Sequence, residues 1–324
     1  MNKEEVLRIL AEKMTSGEIS REEVLALSGQ SSTLTEKGRA SHFSLTKIFY
    51  VLGAIVALLG IVFFVWQIWT DLGAGGRVII TLGLGVVLAA TGSVLLKTKA
   101  ESKLGEVFHT LAGLLIPGGA IVTLNETIGL ENLYSLWPVA IVFGVIFLFY
   151  LLLNAYHRRE ILTFFTIANG TAFIYLLVGS IIDNPAYERF YEDIYAYLTM
   201  AVGLSYLLLA QSFRNGWNRH LAGLFNFIGA VGFFAAAFTR VDNSGLWQAF
   251  FFLLAIGGLA LAVQLKSRGV LAASVLFLIV HFIYITREYF ADSVSWPILL
   301  IVLGFIFIGL GYLSIMLNRK YIQS

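Results

Sequence analysis

Seven residues set within long apolar runs carry most of the chemistry this chain offers: Pro117, Gly118, Gly119, Thr166, Asn169, Asn226 and His281. A proline inside a helix removes one backbone hydrogen bond, and glycines after it loosen the next turn. Ile116-Pro117-Gly118-Gly119 therefore reads as a break that frees carbonyls for a polar ligand, or as a kink packed against a neighbour. Thr163, Thr166, Asn169, Gly170 and Thr171 form a polar stripe in a second run, with Asn169 near its middle. Asn226 and His281 are the other deep polar groups, and each needs a hydrogen-bond partner or water. Together these positions outline a narrow polar cavity for a neutral or weakly polar solute, with His281 as its proton-sensitive group. Hydrogen bonding between helices accounts for the same residues, and both readings stay open.

The pattern excludes much else. No apolar run holds a carboxylate, and no His-Glu-x-x-His, Gly-x-Ser-x-Gly or phosphate-cradling loop with its lysine occurs. The chain has no cysteine, which rules out disulfides, thiolate metal sites and cysteine nucleophiles. Ion-coupled carriers place ionisable groups within the bilayer, so a charge relay is not expected. The reading is a non-enzyme with no metal, no cofactor and no nucleic-acid partner.

The elements that must position these residues are ten stretches of 17 to 22 residues without Lys, Arg, Asp or Glu. A helix needs roughly 20 apolar residues to cross the hydrocarbon core, so each stretch reads as a spanning helix. With 58% hydrophobic and 13% charged residues, the chain has more apolar surface than a soluble domain of 324 residues can bury, and lipid must cover the excess. Continuous apolar runs exclude the alternation of a barrel strand. The expected fold is an all-α, polytopic transmembrane bundle occupying 48–317. Its spans are Ile48–Trp69, Val78–Leu96, Val107–Leu124, Trp137–Tyr156, Ile161–Ile182, Tyr195–Phe213, Leu221–Thr239, Leu246–Leu265, Val270–Thr286 and Trp296–Leu317.

Charge gives these spans a direction. The N-terminal segment, alternate loops and the C-terminal tail hold 18 of the 22 Lys and Arg residues. The intervening loops hold only Arg77, Arg189, Arg240 and Arg287, beside ten acids. Cytoplasmic loops retain positive charge, so both termini, including the 318–324 tail, are expected in the cytoplasm. Trp66, Trp69, Trp137, Trp247 and Trp296 all fall at the opposite span ends, where an indole suits the headgroup region.

Residues 1–28 read as a cytoplasmic helical hairpin. Val6, Ile9, Leu10 and Met14 recur at helical spacing, Gly17 interrupts, and Ser20 with Glu23 forms a capping box. So small a unit cannot hold a core alone, which points to docking on a protein partner, a second copy or the membrane surface. Residues 29–47 read as a flexible linker rich in Ser, Thr and Gly. No apolar run precedes Ile48, which argues against a cleaved signal. Trp137-Pro138 and Trp296-Pro297 open the fourth and tenth spans alike, which leaves two readings open: a parallel repeat of spans one to four in spans seven to ten, or the compositional likeness of any two apolar helices.

The hairpin with Gly17-Glu18-Ile19-Ser20, Leu52-Gly53 in a first span ending at Trp69, the glycine-containing turn to Arg77, and the ending Trp296-Pro297 through Asn318-Arg319-Lys320-Tyr321 resemble the prokaryotic membrane proteins grouped as domain of unknown function 2157. The resemblance implies the cytoplasmic membrane of a bacterium or archaeon and brings no activity with it. Two roles follow from the residues: a permease for a neutral or weakly polar solute, or a non-transporting scaffold or sensor acting through the N-terminal hairpin.

Overall fold

The computed structural model describes residues 12–14, 16, 45–98, 103–133, 135–182, 190–290, 296–317 and 319, and among them every regular element is helical. The chain divides into two units, Met1–Trp66 and Gln67–Ser324. In the first, Glu12–Met14 are helical, the Ser16 N–H donates to the Glu12 carbonyl at 3.0 Å, and helix α1 occupies Leu45–Ile68. The remainder of the hairpin and linker expected over 1–47 lies outside the described residues.

The second unit contains α2 (Ala74–Thr98), α3 (Leu104–Thr127), α4 (Trp137–His157), α5 (Glu160–Ile182), α6 (Tyr191–Phe213), α7 (Arg219–Phe238), α8 (Gly245–Gln264), α9 (Arg268–Phe290) and α10 (Trp296–Leu317). Eight of these, α2 to α9, are long and apolar enough to cross a membrane. The first and tenth expected spans coincide with α1 and α10, whose described stretches include the apolar Leu59–Ile68 and Gly304–Leu313. Both Trp-Pro pairs open helices as expected, because proline in the first turn has no intrahelical N–H bond to lose.

Two cores organise the unit. Ala112, Ile116, Ile146, Tyr150, Leu162 and Phe165 centre one among α2–α5. Leu207, Phe234, Ala237, Phe251, Ala255 and Leu278 centre the other among α6–α9, with Leu310 of α10 packed against it. A smaller cluster of Ala210, Ala222 and Phe225, touching Phe164 and Ile167 of α5, bridges them. Lipid offers no hydrophobic drive between helices, so close packing at small residues must hold them. Gly92 of α2 and Gly105 of α3 meet this need, since a Cβ on either would stand 3.1 Å from the other's carbonyl oxygen.

Ion pairs locate the helix ends. Glu106–Arg159 at 3.6 Å and Glu160–His220 at 2.7 Å bring the starts of α3, α5 and α7 to one end, hereafter the basic end. Arg77–Glu126 at 2.8 Å and Arg240–Asp193 join helices at the opposite end. Arg77 also donates from Nε to the Trp69 carbonyl at 3.1 Å and lies 5.1 Å above that indole. These two arginines are thus neutralised where they stand.

Two turns at the basic end use a cation where glycine is usual. Arg158 (φ 50°) and Lys266 (φ 43°) are left-handed, a conformation that crowds Cβ. The Lys266 N–H donates to the Val263 carbonyl at 3.1 Å and the Ser267 N–H to the Ala262 carbonyl at 3.0 Å, which is a Schellman closure of α8. The Arg158 N–H donates to the Asn154 carbonyl at 2.9 Å, the simpler left-handed closure of α4.

Of the two readings of Ile116–Gly119, an interruption of the helix is not seen, for α3 runs continuously through Pro117. Only the Gly113 carbonyl loses its backbone donor, too little to part a helix of 24 residues held on both sides. The irregularity lies instead in the neighbouring helix, as a π turn over Ile79–Gly83 of α2. Gly119 faces that turn, and a Cβ on it would collide with the Leu82 backbone.

Candidate functional site

Helix α5 joins the two cores through side-chain hydroxyls. Thr163, Ile167, Thr171 and Tyr175 recur every four residues, so they share one face along about 18 Å of axis. Near the basic end, the buried Thr163 Oγ1 lies 3.0 Å from Asn154 Oδ1 of α4 and 3.0 Å from Asn218 Oδ1 of the turn before α7. A hydroxyl has one proton, so Thr163 shares it among these two amide oxygens and the Arg159 carbonyl of its own helix at 3.3 Å. Two turns on, Thr171 Oγ1 and Tyr206 Oη of α6 are 2.7 Å apart. Tyr175 Oη then donates to Thr199 Oγ1 at 2.7 Å, and Tyr195 Oη donates to the Tyr175 carbonyl at 3.4 Å with the two rings stacked.

A carboxylate–imidazole hydrogen bond closes the seam at the basic end. Glu160 Oε1 accepts from the His220 backbone N–H at 3.3 Å and lies 2.7 Å from His220 Nδ1, which binds the start of α5 to the start of α7. Between Thr163 and Thr171 the face turns apolar at Ile167, against Phe225 and its edge-on contacts with Tyr206 and Phe213. Unlike the Glu160–His220 pair, the cross-core bonds of Thr163, Thr171 and Tyr175 can be exchanged for bonds to another hydroxyl without moving a charge.

The seven expected site residues are distributed differently. Thr166 donates to the Leu162 carbonyl at 2.7 Å and Asn169 Nδ2 to the Phe165 carbonyl at 2.8 Å, both back into their own helix. Helical spacing puts them on the side of Leu162 and Phe165, which face the α2–α5 core. The stripe seen in the sequence is therefore split, with Thr163 and Thr171 on the seam and Gly170 set against Phe147 of α4. Gly118 is exposed and faces open space, while Pro117 lies one turn from the core residue Ala120.

Asn226 and His281 lie on helices of the second group, α7 and α9. Asn226 is buried on α7 with Oδ1 unpaired within the protein. His281 is buried on α9 beside Phe251 and Phe252, at ring distances of 5.1 Å and 6.3 Å, with Nδ1 unpaired. A cavity of about 290 Å³ lies among α6, α7, α8 and α9, and its twelve lining residues are all apolar. None of the seven lines it.

One polar group escaped sequence reasoning. His109 of α3 is wholly buried, with Nε2 3.3 Å from Ser93 Oγ of α2 and Nδ1 unpaired. Its ring lies 6.1 Å from that of His157. Gly92 makes the room, because a Cβ there would stand 2.9 Å from the imidazole. Histidine so near a span end is ordinary in a sequence, and only the glycine one helix away signals that it points inward. Tyr150 is likewise fully buried, with Phe149 edge-on and Phe165 tilted against its ring and its hydroxyl unpaired within the protein. Among the described residues no cluster of three His, Cys, Asp or Glu side chains is arranged to hold a metal.

Comparison of the chain with protein-family models, with curated proteins and with solved structures returns no match.

Proposed function

We propose that this multi-pass membrane protein is a permease of the bacterial or archaeal cytoplasmic membrane, with ten spans and its basic end in the cytoplasm. Its solute is small and neutral or weakly polar, and it travels along the α5 seam. The observation that carries this reading is the nature of the joint between the cores: hydroxyl and amide pairs from Thr163, Thr171 and Tyr175, with no carboxylate, amine, guanidinium or imidazole among these pairs. Such pairs offer a passing hydroxyl or amide the same bonds they make to each other, and they allow one core to slide on the other. Membrane-embedded charges are the mark of ion coupling, so transport here is passive.

The test is reconstitution of the full chain into liposomes and stopped-flow light scattering under gradients of urea, glycerol and larger polyols. At least one of these solutes should enter faster than into protein-free liposomes, and Thr171→Val together with Tyr206→Phe should slow it. Entry rates equal to those of empty liposomes for the whole panel would end the proposal. The scaffold or sensor reading draws on the division of the chain at Trp66, which sets the N-terminal segment apart from the main helical unit. It predicts no entry of any solute.

A further inference from the structure

The apolar cavity among α6 to α9 opens between helices rather than inside the bundle. Leu204, Phe250, Leu253 and Gly257 line it and are also exposed on the outer surface. Its lining on α8 runs from Phe250 to Leu261, about 16 Å along the axis, which is close to half of a roughly 30 Å hydrocarbon core. The floor is built from small residues, Ala230 and Gly257, and no atom lies within 4 Å of where a Gly257 Cβ would stand. At this depth the surrounding medium of a membrane-length helix is acyl chain, so the groove has the length and surface of one lipid tail.

The mouth of the groove is charged. Leu261 and Val270 close its lining at the basic end, and the turn between them carries Lys266 and Arg268, both exposed. The neighbouring turn between α6 and α7 adds Arg214 and Arg219, also exposed, beside Trp217. Neither the stretch Gln211–His220 nor the stretch Gln264–Gly269 contains a carboxylate. The left-handed Lys266 keeps a cation at a position where glycine would be less strained. We propose that the groove binds one phospholipid with an anionic headgroup from the leaflet at the basic end. One tail lies over Gly257 and Ala230, and the phosphate is held by Lys266 and Arg268 with Arg214 and Arg219 behind them. Clustered Lys and Arg at the end of apolar helices are the physical basis of such recognition.

Native mass spectrometry of the full chain released from neutral detergent tests this, with dioleoyl phosphatidylglycerol and dioleoyl phosphatidylcholine added in equal amounts. One phosphatidylglycerol per chain should be retained over phosphatidylcholine by on the order of tenfold. Lys266→Gln with Arg268→Gln should erase that preference. Gly257→Leu places its Cβ where no atom lies within 4 Å and should remove retention of both lipids, while an unchanged melting temperature reports an intact fold. Equal retention of the two lipids by the unaltered chain overturns the proposal. So does phosphatidylglycerol retention that survives Gly257→Leu, or a groove found to be covered by a second copy of the chain.

Discussion

Gly203 of α6 and Gly229 of α7 cross so closely that a Cβ on either would stand 2.7 Å from the other's carbonyl oxygen. The contact is mutual and backbone to backbone, so neither side can yield by rotating a side chain. Gly203→Ala or Gly229→Ala must push the helices apart, and overpacking of this kind costs about 1–3 kcal/mol. Each variant should lower the melting temperature of the purified protein in detergent. Gly223→Ala on α7, where no neighbouring atom lies within 4 Å, should leave it unchanged or raise it.

Thr163 and Thr166 look alike in the sequence and differ in the fold. Thr163 bonds to amides from two other segments, whereas Thr166 bonds only to its own helix. Thr163→Val leaves the buried amide of Asn218 and the half-buried amide of Asn154 without a hydroxyl and should cost about 1–2 kcal/mol, with Thr166→Val near neutral. Thermal unfolding in detergent measures the difference, and equal losses would remove Thr163 from the seam.

Hydropathy and charge made the helices and their alternation legible, because membrane length and the position of Lys and Arg are local properties. The side each polar residue faces was not legible to the same degree. Asn169 was visible as deep and polar, but it satisfies itself on the Phe165 carbonyl, and that choice depends on a neighbour's packing. His109 shows the converse, since its burial follows from Gly92 one helix away. Thr171 is legible as part of a stripe, while nothing in the sequence marks Tyr206 as its partner.

Pro117 and Gly119 should respond in opposite ways. Because α3 is continuous, Pro117→Ala restores a donor for the Gly113 carbonyl and should be neutral or stabilising. Gly119→Ala forces a methyl into the Leu82 backbone at the π turn and should destabilise by about 1–3 kcal/mol. If Pro117→Ala were instead the more damaging of the two, the proline would hold a conformation the continuous helix does not contain.

Orientation rests on the 18-to-4 division of Lys and Arg, and the absence of cysteine makes it directly measurable. Glu131 follows α3 at the end where Arg77 meets Glu126, and Gly216 lies in the turn between α6 and α7 at the basic end. Both are exposed. A membrane-impermeant maleimide applied to intact cells or spheroplasts should label Glu131→Cys and spare Gly216→Cys until the membrane is opened. The pairing of Arg77 and Arg240 with carboxylates lowers the charge that the opposite end must move across the bilayer, which favours the same sense of insertion. Labelling of Gly216→Cys from outside would invert the protein, and with it the leaflet that supplies the lipid of the α6–α9 groove.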